Sequence, residues 1–342
     1  MKRVLVIGGT GNIGTSLTRQ MVAVGVDLTL FKAHHTLPEG VTGVRVVTGD
    51  RSNHEEIRRK TAELGHFDCV IDMICYEPAD ATCDIECFRG RTEQFIFCST
   101  TDICSKTPHS YPVRESEGSV GALPSFPYAH KKMECEGRLW AAHERGDFAL
   151  AVIRPCFTYN ETWSPGIHSF GGQSYHLDRI RRGMPIIMHG DGMTLSSATC
   201  REDVARAFVG AAGNRQSYGE DYNLGGDEWM THNTIWRTIA RLMAAPEPDF
   251  VYIPTEILGR LLPREAEWCV QNFRYNIVFD TTKAQRELGF RYTVPFEAGA
   301  RRSIDYLTQH NKIENADNYP FYDRIVELWR RHTGAMLAEA GR

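Results

Sequence analysis

From its third residue the chain alternates short apolar runs with longer mixed ones. "RVLVIGG" at the start is almost continuously apolar, and so are "DLTLF", "VRVVTGD", "DCVIDMI", "EQFIFCST" and "ALAVIRP" further on. Runs without polar alternation predict strands buried on both faces. Between them, "IGTSLTRQMVAVG", "HEEIRRKTAEL" and "PYAHKKMECEGRLWAAHERG" carry apolar residues at helical spacing. Gly25 stops the first of these. Strands alternating with helices predict an α/β fold, a doubly wound parallel sheet.

After about residue 160 the rhythm changes. "NETWSPGIHSFGGQSYH" reads as loop, rich in Gly, Ser and aromatics. Helical stretches follow: "LDRIRRG", "REDVARAFVGAAGN", "NTIWRTIARLMAA", "TTKAQRELGF" and a closing "DRIVELWRRHTGAMLAEA". The chain divides into a sheet domain over residues 1–160 and a smaller lobe over 161–342, with some segments of the second returning to the first.

The glycines sharpen this picture. Gly8, Gly9, Gly11 and Gly14 fall between the first strand and the first helix. Glycine permits positive φ and removes the Cβ that keeps a ligand from the backbone. The helix behind such a loop offers free N–H groups and a partial positive charge to a phosphate. A strand, this turn and a helix together predict a Rossmann-type dinucleotide site, with Gly8, Thr10, Gly11, Asn12, Ile13 and Gly14 on the cofactor.

"SFPYAHKK" supplies the chemistry. Tyr128 and Lys132 stand four apart, one turn of helix, so phenol and ammonium share a face. Tyrosine is too weak an acid to serve as a base at neutral pH. A neighbouring lysine and a cationic nicotinamide ring are expected to favour its phenolate. Lys131, one residue off, is expected to face elsewhere.

"GGTGNIG", then the strand end "FIFCST", then Y-x-x-x-K resemble the extended branch of the short-chain dehydrogenase/reductases, the NAD(P)-dependent epimerase/dehydratase type. The resemblance spans roughly residues 1–305. It implies a Rossmann domain with a smaller C-terminal substrate lobe and a catalytic set of Thr100, Tyr128 and Lys132. The hydroxyl of Thr100 is expected to position the substrate oxygen opposite Tyr128, with Ser99 and Thr101 as its neighbours in register. Asp50, Arg51, Met73 and Pro155 fall at positions implied to line the cofactor, and Tyr128 and Lys132 are implied to touch it as well, Lys132 at its ribose. Where NAD-binding members carry an acid at the end of the second strand, this chain has Lys32, followed by His34 and His35. A cation there favours NADP over NAD.

The substrate half departs from the family. Its diphosphate-contacting Asn falls on Phe157, and Ser196 and Ser197 stand where an Arg is expected. The dehydratase pair of acids is reduced to Thr101 and Asp102. Tyr76, Asp102, Phe157, Tyr159, Arg201 and Arg274 are the candidate substrate contacts, with Trp163 and His168 as further pocket residues. Three functions stay open: an epimerase or oxidoreductase acting on a secondary alcohol or ketone of a sugar or sugar-nucleotide-like substrate, a simple NADPH-dependent ketone reductase or alcohol dehydrogenase, and a non-catalytic dinucleotide-binding protein with an RNA-binding or regulatory role.

Charge and cysteine usage narrow the setting. Net charge is −4 over 342 residues, which leaves no global field to recruit nucleic acid or an anionic membrane. The cluster "RIRRG" at 179–183 is expected on a solvated helix face. The ten cysteines form no C-x-x-C pair, so no metal is implied and reduced, buried thiols of a cytoplasmic protein are expected. No apolar run is long enough to span a bilayer. The resemblance also implies a homodimer, through helices in the "CDIECFRG" and "PYAHKKMECEGRLW" regions.

Overall fold

The computed structural model describes residues 2–116 and 121–341. The six apolar runs form strands β1 (Arg3–Ile7), β2 (Asp27–Lys32), β3 (Arg45–Thr48), β4 (Phe67–Asp72), β5 (Thr92–Cys98) and β6 (Ala149–Pro155). A seventh, Glu220–Leu224, joins outside β6, giving the order Glu220–Leu224, β6, β5, β4, β1, β2, β3. Every pair in this sheet is parallel. The fold class is the expected one: a doubly wound, Rossmann-type parallel sheet.

Side-chain alternation builds a core on each face of the sheet. Val4 and Val6 of β1 point to one face, among Leu17, Met21, Ile71, Ile153 and Phe208. Leu5 and Ile7 point to the other, among Phe31, Val70, Phe95, Leu139 and Val152. Helices α1 (Asn12–Ala23), α2 (His54–Ala62), α3 (Pro78–Phe88) and α4 (Pro127–Glu144) connect the strands. Pro78 opens α3 inside a capping box made by Glu77 and Asp80. The strand order reverses between β1 and β4, whose carboxyl ends therefore frame the crevice where such sheets bind ligands.

Two compact units emerge. The first is residues 1–158, 199–226 and 278–293, and the second residues 159–198, 227–277 and 294–342. In the second, Ile186–His189 pairs with Phe250–Ile253, beside helices that include His232–Leu242, Phe296–Gln309 and Pro320–Glu339. Its interior is polar in places. His168, His176, His189 and His232 are all buried, and His168 stacks on His176 with ring centroids 3.2 Å apart. His168 Nε2 pairs with the Tyr322 hydroxyl at 2.9 Å, and His189 meets Ser169 Oγ at 3.0 Å.

Arg179 corrects the expectation for "RIRRG". It is fully buried, with its guanidinium 3.9 Å from the centre of the Tyr322 ring and 2.6 Å from Asp323 Oδ1. Only Arg181 and Arg182 remain on the solvated side, paired with Asp178. None of the ten cysteines is in a disulfide, and all are buried. No helix among the described residues is long and apolar enough to cross a membrane.

Candidate active site

Each glycine of the first turn has its own reason. Gly8 has φ +84°, a conformation L side chains resist, and an added Cβ would lie 2.7 Å from Ile74. Gly9 faces Leu30 and Thr18, where a Cβ would come within 2.7 and 2.9 Å. At Gly14 a Cβ would sit 2.4 Å from Gly8 O and 2.8 Å from Gly9 C, so α1 can pack this closely on the turn only with glycine here. Gly11 differs. Its Cβ would meet nothing nearer than Gly8 O at 3.9 Å, and it is exposed. Gly11 is also the N-cap of the 12-residue α1, with no side chain capping the helix. An open cradle in front of an uncapped helix end fits a pyrophosphate. Asn12 braces the loop by donating Nδ2–H to Thr158 O at 2.7 Å, while Thr10 and Ile13 are half-buried beside it.

Gly14→Ala tests this packing. The clash is with backbone, which no rotamer relieves. The substitution is expected to cost about 2–4 kcal/mol of stability and to weaken dinucleotide affinity at least tenfold, read by urea titration and by calorimetry with NAD(P).

The adenosine side is less simple. Lys32 is buried at the end of β2, with Nζ donating to Thr36 O, and burial lowers its pKa. His34 and His35 are exposed. Asp50 is exposed and holds Ser52 through both its N–H and its hydroxyl, at 2.9 and 2.8 Å, which keeps the carboxyl below its usual range. Arg51 turns inward. Its Nη2 lies 2.9 Å from Asp72 Oδ2 and 2.8 Å from Asp84 Oδ2, and Nη1 lies 3.8 Å from Asp80 Oδ1. The guanidinium is thereby committed to β4 and α3, not turned out to a ligand as the expected cofactor contact would need. Burial, and then the neighbouring Asp72 charge, push the Asp84 carboxyl well above the usual range. Asp72, Cys75 and Asp84 also form a group of potential metal donors, but the Arg51 guanidinium already lies against both carboxylates. Met73 is buried and donates its N–H to Ile7 O, tying β4 to β1 at the crevice. Pro155 is buried as the last residue of β6.

At the other end of the crevice, β5 and α4 meet. Thr100 is buried just past β5, and its side chain hydrogen-bonds the phenol of Tyr128. Lys132, four residues along α4, is buried. Its Nζ donates to Cys98 O at 2.8 Å and lies 4.5 and 4.9 Å from the centres of the Tyr76 and Phe97 rings. Lys131 points away and pairs with Glu77 at 2.7 Å. The electrostatics of Tyr128 differ from those expected. Burial pushes the phenol up, the charge of Asp102 adds to this, and the Thr100 hydrogen bond pulls it back. The chain's own groups therefore hold Tyr128 as a protonated phenol, a donor of its proton.

Asp102 sits on the one-turn 3-10 helix Thr101–Ile103, and its N–H donates to Thr100 Oγ1 at 3.2 Å. Lys106, which sequence reasoning passed over, places Nζ 3.9 Å from Asp102 Oδ1. Tyr76 is exposed, and burial of its hydroxyl end raises it to about 12. Phe157 is half-buried and accepts the Thr199 N–H on its carbonyl at 3.0 Å. Arg201 is buried at the start of the helix Arg201–Ala211.

Two candidate residues lie in the second unit. Tyr159 is buried there, with its hydroxyl against Gly299, where a Cβ would come within 1.9 Å. Arg274 pairs with Glu256.

The model of the NAD dependent epimerase/dehydratase family matches residues 4–225. The chain belongs to this family. A 2'-dehydrokanamycin reductase of Streptomyces kanamyceticus is 24% identical over 281 residues, covering 81% of this chain and 76% of that one. A chloroplast stem-loop binding protein of Arabidopsis thaliana is 25% identical over 274 residues, covering 75% and 67%. Among solved structures, an epimerase of Methanothermobacter thermautotrophicus aligns with TM-score 0.73 at 19% identity, over 91% of this chain and 93% of that one. The UDP-glucose 4-epimerase of Thermotoga maritima aligns at 0.70 and 20% identity, over 90% and 99%. Family members of this kind carry an extended short-chain dehydrogenase/reductase fold with a C-terminal lobe, as this chain does.

Proposed function

We propose that the chain is an NAD(P)-dependent oxidoreductase or epimerase that interconverts a secondary alcohol and a ketone on a sugar or sugar-nucleotide-like substrate. The observation that carries this reading is the hydrogen bond between Thr100 and Tyr128 in a fold that also carries the open cradle at Gly11. The dinucleotide, when bound, supplies or accepts hydride. Gly8 to Gly14 would hold its pyrophosphate. Thr100 orients the substrate oxygen, Tyr128 gives that oxygen its proton, and Lys132 braces the Tyr76 and Phe97 side of the pocket from the Cys98 carbonyl. A phenol held protonated favours the ketone-to-alcohol direction.

NADP is the preferred dinucleotide in this reading. Lys32 is the one cation at the end of β2, and a 2′-phosphate would replace the Thr36 carbonyl as its partner. The substrate is a small molecule. We place the protein as a homodimer through α3 and α4 and, from its ten cysteines outside any disulfide, in a reducing cytoplasm. Neither nucleic acid nor a membrane is part of this reading. The relatives named as epimerases, dehydratases and a reductase support it.

A second reading follows from the relative named as a stem-loop binding protein: this chain would bind a dinucleotide without turnover and serve an RNA-binding or regulatory role. One experiment separates the two. The protein is purified, its small molecules are released and identified by mass spectrometry, and NADPH consumption is followed with UDP-4-keto-6-deoxy-D-glucose and simple ketones. NADP(H) in the extract together with turnover of a keto sugar is the expected result. A bound dinucleotide with no turnover of any ketone, and no exchange of label from reduced cofactor, supports the second reading.

A further inference from the structure

Lys132 is a buried cation, 1% exposed, and its charge is met by one carbonyl and two aromatic rings. The Cys98 carbonyl accepts from Nζ at 2.8 Å, and the ring centres of Tyr76 and Phe97 lie 4.5 and 4.9 Å from it. A ring face is electron-rich, and its pull on an ammonium grows as water is excluded. The two rings are there for different reasons. Phe97 belongs to β5 and to the apolar core beside it, so core packing alone places it. Tyr76 lies between β4 and α3 and is 47% exposed. A ring left half in water gains little from apolar burial, so its position has another cause.

The backbone supplies half of that cause. Asp72 accepts the Ile74 N–H at 2.7 Å, and Asp80 accepts those of Tyr76 and Glu77 at 3.1 and 3.0 Å. Asp80 is held in turn by His54 Nε2 at 2.8 Å and lies 3.8 Å from Arg51 Nη1. The segment is thereby pinned, with the Tyr76 ring delivered over the ammonium. Burial of the hydroxyl end pushes this phenol up to about 12, so the ring stays neutral and acts through its face.

We propose that Tyr76 is a positioning residue for Lys132: its ring face holds the ammonium at the Cys98 carbonyl, one turn of α4 from Tyr128. The inference rests on the reading of Lys132 as part of the hydride-transfer site. The property that matters is then the electron density of the ring face, not the bulk of the side chain. Draining that face should loosen the ammonium even where the shape of the ring is kept.

The test is a graded series at position 76 of the full chain: Tyr76→Phe as reference, then mono-, di- and trifluorinated phenylalanine introduced by codon suppression. Fluorine withdraws density from the face and hardly alters its size. Two quantities are read. One is the exchange of the Lys132 ammonium protons with water, from the Nζ resonance of chain labelled with nitrogen-15 lysine and assigned with Lys132→Arg. The other is turnover of UDP-4-keto-6-deoxy-D-glucose with NADPH. Exchange should quicken and turnover should fall at each step, the trifluorinated ring ending about tenfold below Tyr76→Phe in turnover. Tyr76→Leu, apolar but without a ring, should match the trifluorinated chain. A flat exchange series overturns the proposal, because Tyr76 would then act by bulk alone. So does equal exchange in Tyr76→Leu and Tyr76→Phe, and so does a stepped exchange with flat turnover while Lys132→Met is inactive. Failure of the underlying reading looks different: Lys132→Met itself would keep its turnover, whatever the exchange series showed.

Discussion

Replacing Tyr128 by phenylalanine is expected to lower turnover by about 10²–10⁴-fold while dinucleotide affinity stays within threefold. The substitution removes one oxygen from a half-buried ring and leaves the helix intact. That oxygen is the one Thr100 addresses from β5. The cofactor cradle at Gly8–Gly14 makes no use of the phenol, so binding and chemistry should separate. Thr100→Val should follow with a smaller loss, since a hydroxyl that orients is removed and the proton donor stays. Steady-state rates with the keto sugar, alongside calorimetric titration of NADP⁺, check both. Unchanged turnover in Tyr128→Phe would remove the enzymatic reading.

The second large effect concerns acid. Burial holds His176 and His232 down to about 3 and His189 to about 4, and lowers His168 as well. In the unfolded chain these imidazoles titrate near 6.5. Between the folded and unfolded values the unfolded chain binds more protons. Stability in the second unit is therefore full above pH 6.5 and is lost as the pH falls below it. At pH 5 His176, His189 and His232 each cost about 2 kcal/mol, with His168 acting in the same direction, which together rivals the whole stability of an ordinary domain. Trp236 reports the event. It lies among these rings, with its centroid 5.5 Å from that of His168, and donates Nε1–H to Ile167 O. The urea midpoint read by tryptophan fluorescence should fall steeply between pH 7 and pH 5. His176→Gln should flatten the slope by roughly a quarter. A midpoint indifferent to pH would mean that these rings are charged or hydrated in the folded state.

What was legible follows from how local each signal is. The glycine turn reads directly because its three constraints lie within seven residues: a positive φ at Gly8, a close approach at Gly14 and an open face at Gly11. Tyr128 and Lys132 read because helical spacing alone aligns them. Arg51 did not, because its direction is set by Asp72 and Asp84, 21 and 33 residues away in sequence. Arg179 misled for the same reason. The arginines beside it are solvated, and only the Tyr322 ring and Asp323, far down the chain, draw it inside. Lys106 lies in a stretch without periodicity, where nothing in the pattern marks it. The protonated bias of Tyr128 was hidden too, since the i,i+4 spacing pointed to Lys132 while the bias comes from burial first and then from the charge of Asp102 on another element.

The outermost strand of the sheet has a consequence for synthesis. Glu220–Leu224 covers the free edge of β6, yet about 65 residues separate the two in the chain. At ~5–20 residues per second, a ribosome leaves that edge unpaired for roughly 3–13 s. A nascent chain stalled in this interval presents a six-stranded sheet whose β6 edge, covered in the finished fold, is open to pairing with a neighbour. The window in which this protein is most vulnerable thus opens when β6 is finished and closes only with the arrival of Leu224.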